Sequence, residues 1–299
     1  MKVSIIIPTY NRPITLKEMI ASYICQKFVE EIIVIDDNSL LDYKEFVEYT
    51  QKLCDKKNIQ FIYKKNTENL GAAGSRNVGL DLASGTHILW GEDDAFLGEN
   101  YIENLFKEMH EYDIMCGSIY YGIYPNMNET EMNQQIVMQQ EINKPIFNYK
   151  NFEGYYRKIV DTPQIVPYGH ALILVPKEAY SGIRYYTNYK INGYREESDA
   201  QVLMTKIGYS VKYTSNAVCF HLPANKIQKG GQHMNSKFRQ ELYTIINNNK
   251  FFDRHYDFFK ERYKIKTKKS LLKLIFIKDR SIRNISFIFK KVKRCLKFN

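Results

Sequence analysis

Residues 88–96 read Ile88-Leu-Trp-Gly-Glu-Asp-Asp-Ala-Phe96, an apolar strand-like run that ends at three adjacent acids, Glu92, Asp93 and Asp94. Three neighbouring carboxylates repel one another, and folding them together is costly unless a positive group lies among them. Mg²⁺ or Mn²⁺ suits such a cluster, because these ions prefer oxygen ligands and are commonly held by one or two carboxylates and substrate phosphates. The alternative is a solvated acidic turn, and the rest of the chain must decide between the two.

Upstream of this stretch, strand and helix patterns alternate. Runs rich in β-branched or apolar residues predict strands at Val3–Ile7, Glu31–Ile35, Ile59–Tyr63 and His87–Trp90. Helical patterns lie between them, at about Pro13–Tyr23, at Asp42–Cys54 and after Asn69-Leu-Gly-Ala-Ala-Gly-Ser-Arg-Asn77. Such alternation predicts an α/β fold, with a mainly parallel, doubly wound sheet that binds its ligand at the carboxyl ends of the strands.

Local signals mark the ends of two of these helices. Thr9 or Asn11 is expected to cap the first helix, with Pro13 in its first turn. Gly85 is expected to stop the third helix as a C-cap.

Polar residues follow several of the predicted strands. Thr9 and Tyr10 follow the first strand, Asp36 and Asp37 the second, and Asp93 and Asp94 the fourth. Because parallel strands end at the same edge of a sheet, we expect all six side chains to converge on one crevice. Arg76 lies near the start of the third helix, where a guanidinium and free backbone N–H groups suit a phosphate; the alternative is a surface charge.

Composition favours a globular protein of the reducing cytoplasm. The chain has 299 residues, 44% of them hydrophobic, and no apolar run of eighteen or more that would predict a transmembrane helix. The first apolar run breaks at Pro8, too early for a signal peptide. Five widely spaced cysteines form no CxxC pair, so neither a zinc site nor a disulfide framework is indicated.

Positive charge is concentrated at the C-terminal end. Residues 264–299 carry thirteen Lys and Arg against one acid, whereas residues 1–263 have a net charge of −2. A nucleic-acid-binding function would therefore rest on the tail alone, and we expect none. Apolar residues interleave with these bases, so we expect the tail to lie on an anionic membrane surface, where each basic residue contributes roughly 1 kcal/mol. The alternative is a helix packed on the body or on a partner chain.

Four motifs in order resemble those of family-2 glycosyltransferases with the GT-A fold. They are Val3-Ser-Ile-Ile-Ile-Pro-Thr-Tyr-Asn-Arg12, Ile33-Val-Ile-Asp-Asp-Asn-Ser39, Asn69-Leu-Gly-Ala-Ala-Gly-Ser-Arg-Asn77 and Glu92-Asp-Asp94. The resemblance covers residues 1–118 and resumes at Gly193-Tyr-Arg-Glu-Glu-Ser-Asp-Ala-Gln201 and at Ala217-Val-Cys-Phe-His221. It implies a Rossmann-like GT-A fold and inverting transfer of a sugar from a nucleotide diphosphate, with Mn²⁺ or Mg²⁺ on the diphosphate.

The resemblance also implies roles for the donor site. Asp37 is expected to accept a hydrogen bond from a uracil-like imide, Arg76 to contact the diphosphate or the base, and Asp93 to contact the ribose. The full set implied for donor binding is Pro8, Thr9, Tyr10, Arg12, Asp37, Gly71, Arg76, Glu92 and Asp93. The metal is expected on Asp94, with Asp93 and His221 as further ligands. Gly91 departs from the family pattern, since many members have an acid there.

A second acidic cluster, Arg195-Glu-Glu-Ser-Asp199, precedes an apolar helical pattern. An inverting displacement needs a carboxylate that takes the proton of the acceptor hydroxyl. Glu197 aligns best with the family's catalytic acid, Glu196 is the close alternative, and Asp199 is expected to bind the acceptor. The competing interpretation is that these acids only favour a helix N-terminus.

These patterns predict four regions: a nucleotide-sugar-binding half at 1–118, an acceptor-binding and catalytic half at 119–225, a helical region at 226–263 and a basic amphipathic tail at 264–299. We expect a UDP-sugar donor, a saccharide or lipid-linked acceptor, and work at the cytoplasmic face of a membrane in surface-glycan synthesis. A homo-oligomer is compatible with the sequence. The competing function is a non-catalytic subunit that binds a nucleotide sugar.

Overall fold

A mixed sheet of nine strands organises the chain in the computed structural model, which describes residues 1–223, 225–231 and 236–295, with side chains as far as residue 282. The sheet strands are β1 Val3–Thr9, β2 Val29–Asp36, β3 Gln60–Lys65, β4 His87–Trp90, β5 Ala95–Leu97, β6 Asp113–Tyr121, β9 Gln164–Ile165, β10 Ile173–Pro176 and β11 Ser210–His221; β7 Phe147–Asn148 and β8 Glu153–Gly154 pair separately. The helices are α1 Pro13–Ile24, α2 Lys44–Asp55, α3 Gly71–Leu82, α4 Tyr101–Glu108, α5 Glu129–Gln139, α6 Glu196–Lys206, α7 Lys237–Arg262 and α8 Lys269–Cys295, with a 3₁₀ turn at Lys177–Tyr180.

The sheet has the order β3-β2-β1-β4-β10-β6-β11-β5, and β9 also pairs with β11. β1, β2, β3 and β4 are parallel, as are β6 and β11, whereas β10, β5 and β9 run antiparallel to their neighbours. The α/β fold is confirmed; its four N-terminal strands form a continuous parallel part, and the rest of the sheet is mixed. The predicted boundary after residue 118 falls inside β6, so the two halves share one sheet.

The N-terminal strands are buried on both faces, as their continuous apolar sequences predict. Ile5, Ile6 and Ile7 of β1 and Ile32 to Ile35 of β2 have no solvent exposure. The register pairs Thr9 with Asp36 and Ile6 with Trp90, so β1, β2 and β4 end side by side. This alignment brings the residues after the three strands to one edge.

Pro13 lies in the first turn of α1 as predicted, whereas the caps expected at Thr9 or Asn11 and at Gly85 are wrong. Arg12 occupies the N-cap of α1 without a side-chain cap; Thr9 instead contacts Asp93, and Asn11 accepts hydrogen bonds from the backbone of the loop after β2. α3 ends at Leu82, before Gly85. Gly85 is required by close packing, because a Cβ there would lie 2.6 Å from Ser4 Oγ.

Helix α7, which precedes the basic tail, buries a more polar face than its sequence predicts. We expect Leu242, Ile245 and Ile246 in the core, but Leu242 and Ile246 are 44% and 40% exposed. The buried face instead includes Asn247 and Asn248, whose side chains bond Lys190 O and the Arg195 guanidinium, respectively. α7 is therefore fastened to the loop that precedes α6 by hydrogen bonds as well as by aromatic packing.

The first part of the basic tail packs on α7. Leu272 and Phe276 of α8 are buried, Arg280 pairs with Glu241, and Lys273 pairs with Asp253. Within the described ranges, no helix combines the length and the apolar composition needed to cross a bilayer.

Candidate active site

A cavity of about 560 Å³ opens at the edge where β1, β2 and β4 end. It is lined by all the predicted site residues except Asp199: Pro8, Thr9, Tyr10, Arg12, Asp37, Gly71, Arg76, Glu92, Asp93, Asp94, Glu196, Glu197 and His221. Five of the six side chains expected to converge at the strand ends line this cavity; Asp36 does not, because its fully buried carboxylate accepts hydrogen bonds from the Tyr63 hydroxyl and the Ser39 N–H. The first residues of α6 and the end of β11 close its other side.

Arg12 lies among the carboxylates that follow β4. Its Nη1 lies 2.6 Å from Asp93 Oδ1 and 2.7 Å from Asp94 Oδ2, and all three side chains are largely buried. Burial raises the pKa of Asp93 although Arg12 favours the ionised form. For Asp94, burial is outweighed by the hydrogen bond from His221 and by the charges of His221 and Arg12, and the pKa is lowered. The acidic cluster is therefore a buried site rather than a solvated turn.

Removing the Arg12 side chain tests this electrostatic arrangement. We expect Arg12→Ala to lower the free energy of unfolding by about 3 kcal/mol, because two buried carboxylates lose their counter-ion. Mn²⁺ should restore more stability to the variant than it adds to the wild type, as a cation again joins the cluster. Urea unfolding with Mn²⁺ and with EDTA measures both effects. Arg184→Ala is the control, since Arg184 forms an exposed ion pair with Asp81 and should cost less than about 1 kcal/mol. If Arg12→Ala and Arg184→Ala lowered the free energy of unfolding equally, this electrostatic arrangement would be contradicted.

Glu92, Asp94 and His221 each bring one ligand atom to a common point, with these atoms within 4.8 Å of one another. His221 Nε2 lies 3.2 Å from Asp94 Oδ1. Burial and the neighbouring Asp94 raise the pKa of Glu92 to about 7; burial opposes protonation of His221, but Asp94 raises its pKa to about 9. Two carboxylates and an imidazole are a donor set that suits Mn²⁺ or Mg²⁺, so the residues fit the predicted ion.

The geometry changes the predicted ligand set in one respect. Asp93 belongs to the expected set, but the structure directs its carboxylate to Thr9 and Arg12. Glu92 takes its place beside Asp94 and His221. The sequence alone does not show which of three adjacent acids face inward together, because the turn after β4 decides it.

Asp37 organises the loop that begins α3. Its Oδ1 accepts hydrogen bonds from the Leu70 N–H at 2.7 Å and from Asn66 at 3.1 Å, and its Oδ2 accepts one from the Gly71 N–H at 2.9 Å. Gly71 has φ +74°, a left-handed conformation that favours glycine. A carboxylate has about four acceptor positions, so one remains for a ligand such as the predicted imide.

Arg76 is buried and holds both glutamates at the start of α6. It forms an ion pair with Glu196, and its Nη2 lies 2.9 Å from Glu197 Oε1. Burial disfavours the cation, but the two carboxylates outweigh it and raise the Arg76 pKa. Its Nε is buried without a hydrogen-bond partner. The alternative of a surface charge is wrong, since Arg76 is 3% exposed and lines the cavity.

The two glutamates differ in access. Glu196 is 3% exposed, and burial raises its pKa to about 8 despite Arg76. The Glu197 side chain is 26% exposed, and both glutamates line the cavity. Both lie in the first turn of α6, where the helix dipole favours acids. Of the two, only Glu197 is positioned to meet a molecule that enters from outside.

Asp199 does not reach the cavity, so its predicted contact with the acceptor is wrong. Its side chain is fully buried and accepts hydrogen bonds from Tyr189 at 2.8 Å, Arg254 at 2.7 Å and His255 at 2.6 Å. Asp199 lies two positions after Glu197, so the two side chains leave α6 on roughly opposite faces, and Tyr189, Arg254 and His255 cover Asp199. Asp199 therefore links α6 to α7 through hydrogen bonds to Arg254 and His255.

Asp199→Ala should therefore act on stability. We expect a loss of about 3 kcal/mol in the free energy of unfolding, because the variant leaves the buried His255 imidazole and the partly exposed Arg254 guanidinium without their acceptor. Thermal and urea unfolding measure the loss, and Asp81→Ala, in an exposed ion pair, serves as the control. A fully stable Asp199→Ala protein would contradict the anchoring role.

Several cavity residues carry no signal in the sequence. Thr187, Tyr189, Lys190, Ile191 and Asn192 line the cavity from the loop before α6. Their only hint is a local richness in Tyr and Asn, which also suits exposed loops. The sequence at 229–233 suits a loop over the donor but favours a plain linker; in the structure Gly231 lines the cavity, Gly230 O accepts from Arg12 and the Gly231 N–H donates to Tyr10 O. Lys229 is exposed, and His233, the other residue expected to contact phosphate there, lies outside the described residues.

Comparisons with known proteins find similarity to glycosyltransferases. Residues 4–175 match the family model described as Glycosyl transferase family 2. A GalNAc(5)-diNAcBac-PP-undecaprenol beta-1,3-glucosyltransferase of Campylobacter jejuni is 32% identical over 157 residues, covering 52% of this chain and 50% of that relative. Glycosyltransferase GlyA of Streptococcus pneumoniae is 30% identical over 135 residues, 44% of this chain and 18% of that relative. The chain thus spans half or less of the length of these two relatives.

Solved structures show the same fold. GalNAc-T7 with UDP, GalNAc and Mn²⁺ has a TM-score of 0.64 at 16% identity and covers 94% of this chain and 54% of that chain. Staphylococcus aureus TarS 1-349 in complex with UDP-GlcNAc has a TM-score of 0.55 at 13% identity. The match covers 94% of this chain and 80% of the TarS chain. At these identities the likeness concerns the fold alone.

Proposed function

Because the chain belongs to glycosyl transferase family 2, we propose that it is an inverting glycosyltransferase that moves a sugar from a UDP-sugar to a saccharide or lipid-linked saccharide. One observation carries the proposal: a triad suited to a divalent cation and an accessible carboxylate face the same cavity. The triad supports binding of a nucleotide diphosphate through the cation, and the carboxylate supports activation of an acceptor hydroxyl.

The donor is assigned to the side of the cavity built by β1, β2 and α3. Asp37, with one acceptor position left, suits the imide of uracil, and Arg76 suits the diphosphate. Relatives of the fold have been solved with UDP and UDP-GlcNAc, which supports a uridine donor. Glu92, Asp94 and His221 would hold Mn²⁺ or Mg²⁺, which would offset the charge of the departing diphosphate.

Glu197 is assigned the role of general base. It takes the proton of the acceptor hydroxyl while that oxygen bonds to the anomeric carbon from the face opposite the leaving group. The bond between the anomeric carbon and the diphosphate oxygen breaks in the same step, and UDP keeps the electron pair. Attack from the opposite face inverts the configuration at that carbon.

A donor panel tests the proposed reaction. UDP-glucose, UDP-galactose, UDP-GlcNAc and UDP-GalNAc are each incubated with the protein, Mn²⁺ and a mixture of oligosaccharide acceptors, and acceptor-dependent UDP release is measured. Release from one donor, with a β-linked product by NMR, is the expected result. Donor binding without any release would favour the alternative, a non-catalytic subunit that positions a partner enzyme.

A lipid-linked acceptor makes a membrane contact useful, and we place the protein at the cytoplasmic surface. The Campylobacter relative is named for a lipid-linked substrate. Phe238, Leu242 and Ile246 form an exposed apolar stripe at four-residue spacing on α7, and Leu271 and Leu274 are exposed on α8. A protein that ends at Tyr263 should no longer sediment with anionic liposomes. If it still sediments with them, the tail does not bind the membrane.

A further inference from the structure

Three cavities lie in series along residues 192–197. A second cavity, of about 330 Å³, shares Asn192, Gly193 and Glu197 with the candidate active site. A third, of about 650 Å³, shares Tyr194 and Arg195 with the second. Glu197 therefore borders both the donor cavity and the second cavity, and the segment that carries it forms the wall of all three.

The second cavity has the chemistry of a site for a neutral, hydroxyl-rich ligand. Its wall includes Ser198 of α6, Thr244 and Glu241 of α7, and Arg280 of α8. Arg280 and Glu241 neutralise each other, with Nη2–Oε distances of 2.7 Å to both oxygens. Hydroxyl groups and a compensated ion pair offer donors and acceptors without a net charge, which suits a sugar better than an anion.

The third cavity offers polar groups together with aromatic surfaces. The half-buried rings of Tyr155 and Tyr194 line it, along with the ion pair between Glu141 and Arg157 at 2.7 Å. Aromatic rings with a polar edge suit the apolar face of a pyranose and its hydroxyl rim. Tyr194 stands between this cavity and the second, so a ligand that occupies both must pass it.

The wall between these two cavities is fixed in place. The Arg195 guanidinium donates to Tyr168 Oη at 2.6 Å, to Phe152 O at 3.2 Å and, through Nε, to Asn248 at 3.0 Å. Since the side chain is 6% exposed, its position is set by the protein. The two cavities are preformed, so less free energy is spent on ordering the protein when a ligand binds.

We propose that the acceptor is an oligosaccharide of at least two sugars that lies along the second and third cavities. Its terminal sugar occupies the second cavity, with the reacting hydroxyl at Glu197, and the preceding sugars pass Tyr194 into the third. This inference rests on the proposed glycosyltransferase function. It assigns acceptor selection partly to α7 and α8, outside residues 4–175 that match the family model.

Two variants that narrow the cavities test the proposal. Ser198→Tyr places a ring in the second cavity without removing a hydrogen bond seen for Ser198, and Ile282→Trp narrows the mouth of the third. Their matched controls are Ser181→Tyr and Ile207→Trp, at exposed positions that line none of the three cavities. The probes are hexose and N-acetylhexosamine oligosaccharides of one to six units, with a radiolabelled UDP-sugar and Mn²⁺.

The wild type should transfer label to oligosaccharides with a kcat/KM at least roughly tenfold above that for the single sugars. Ser198→Tyr should lose transfer while UDP with Mn²⁺ still raises its melting temperature, and Ile282→Trp should lose the preference for longer acceptors. Equal efficiency for one and for several sugars, or normal transfer by Ser198→Tyr, would overturn the acceptor track. A wild type that neither binds nor turns over any UDP-sugar would instead overturn the proposed function.

Discussion

Glu197→Gln is expected to lower the rate of sugar transfer by about 10²- to 10⁴-fold, the range that general-base catalysis supplies. The amide keeps the size of the side chain but cannot take the proton of the acceptor hydroxyl. Donor binding should persist, because the side chain is 26% exposed and borders the donor cavity without belonging to the acidic triad. Transfer rates at saturating donor, with thermal stabilisation by UDP as the binding assay, separate the two effects.

Two comparisons make this expectation specific to Glu197. Glu196→Gln removes a buried partner of Arg76, so it should lower stability and weaken donor binding, with a smaller effect on the transfer step. Glu48→Gln, at an exposed position of α2, should behave as the wild type. If Glu196→Gln alone abolished transfer while Glu197→Gln remained active, the base would be Glu196, the alternative that the sequence leaves open.

Asp94→Ala is expected to lower metal-dependent transfer by about 10³-fold, because stabilising the leaving diphosphate is worth several kcal/mol. Asp94 lies between Arg12 and His221, and its loss leaves Glu92 and His221 as an incomplete donor set. Transfer is measured over a series of Mn²⁺ concentrations. Higher Mn²⁺ should restore part of the rate in His221→Ala but little in Asp94→Ala, since the carboxylate carries the charge that attracts the ion.

The control for this substitution is Asp161→Ala, which removes an exposed aspartate far along the chain from the acidic cluster. It should have the metal dependence of the wild type. Transfer by Asp94→Ala at the wild-type rate and with the same dependence on Mn²⁺ would contradict the assignment of the triad.

The N-terminal half of the fold could be predicted because local patterns dominate it. β1 and β2 are continuous apolar runs ending in polar residues, and parallel strands must end at the same edge. That rule alone brings Thr9, Asp37 and Asp94 together before any coordinates are known. The limits of the four N-terminal strands differ from the prediction by at most two residues, and those of β4 match it.

Other features depend on packing that a single sequence does not display. The turn after β4 decides which acids of Glu92-Asp-Asp94 face the same point. The sequence does not show this turn, and it therefore places Glu92 at the donor and not in the triad. The asparagines of α7 are buried because the loop before α6 offers them backbone and side-chain partners. Asp199 is buried for a similar reason, since Arg254 and His255 come from a helix 55 residues further along the chain.

The most direct test is thermal unfolding of the wild type and Asp94→Ala with UDP, GDP, CDP and dTDP, each with Mn²⁺ or with EDTA. Ligand at a hundred times its Kd stabilises a folded protein by about 2.7 kcal/mol. We predict a rise in melting temperature of about 5 °C for the wild type with UDP and Mn²⁺, from the usual few degrees per kcal/mol, and no such rise with EDTA or in Asp94→Ala. A wild type that none of the four nucleotides stabilises, or an Asp94→Ala protein that UDP and Mn²⁺ stabilise equally, would contradict a metal-dependent nucleotide-sugar site.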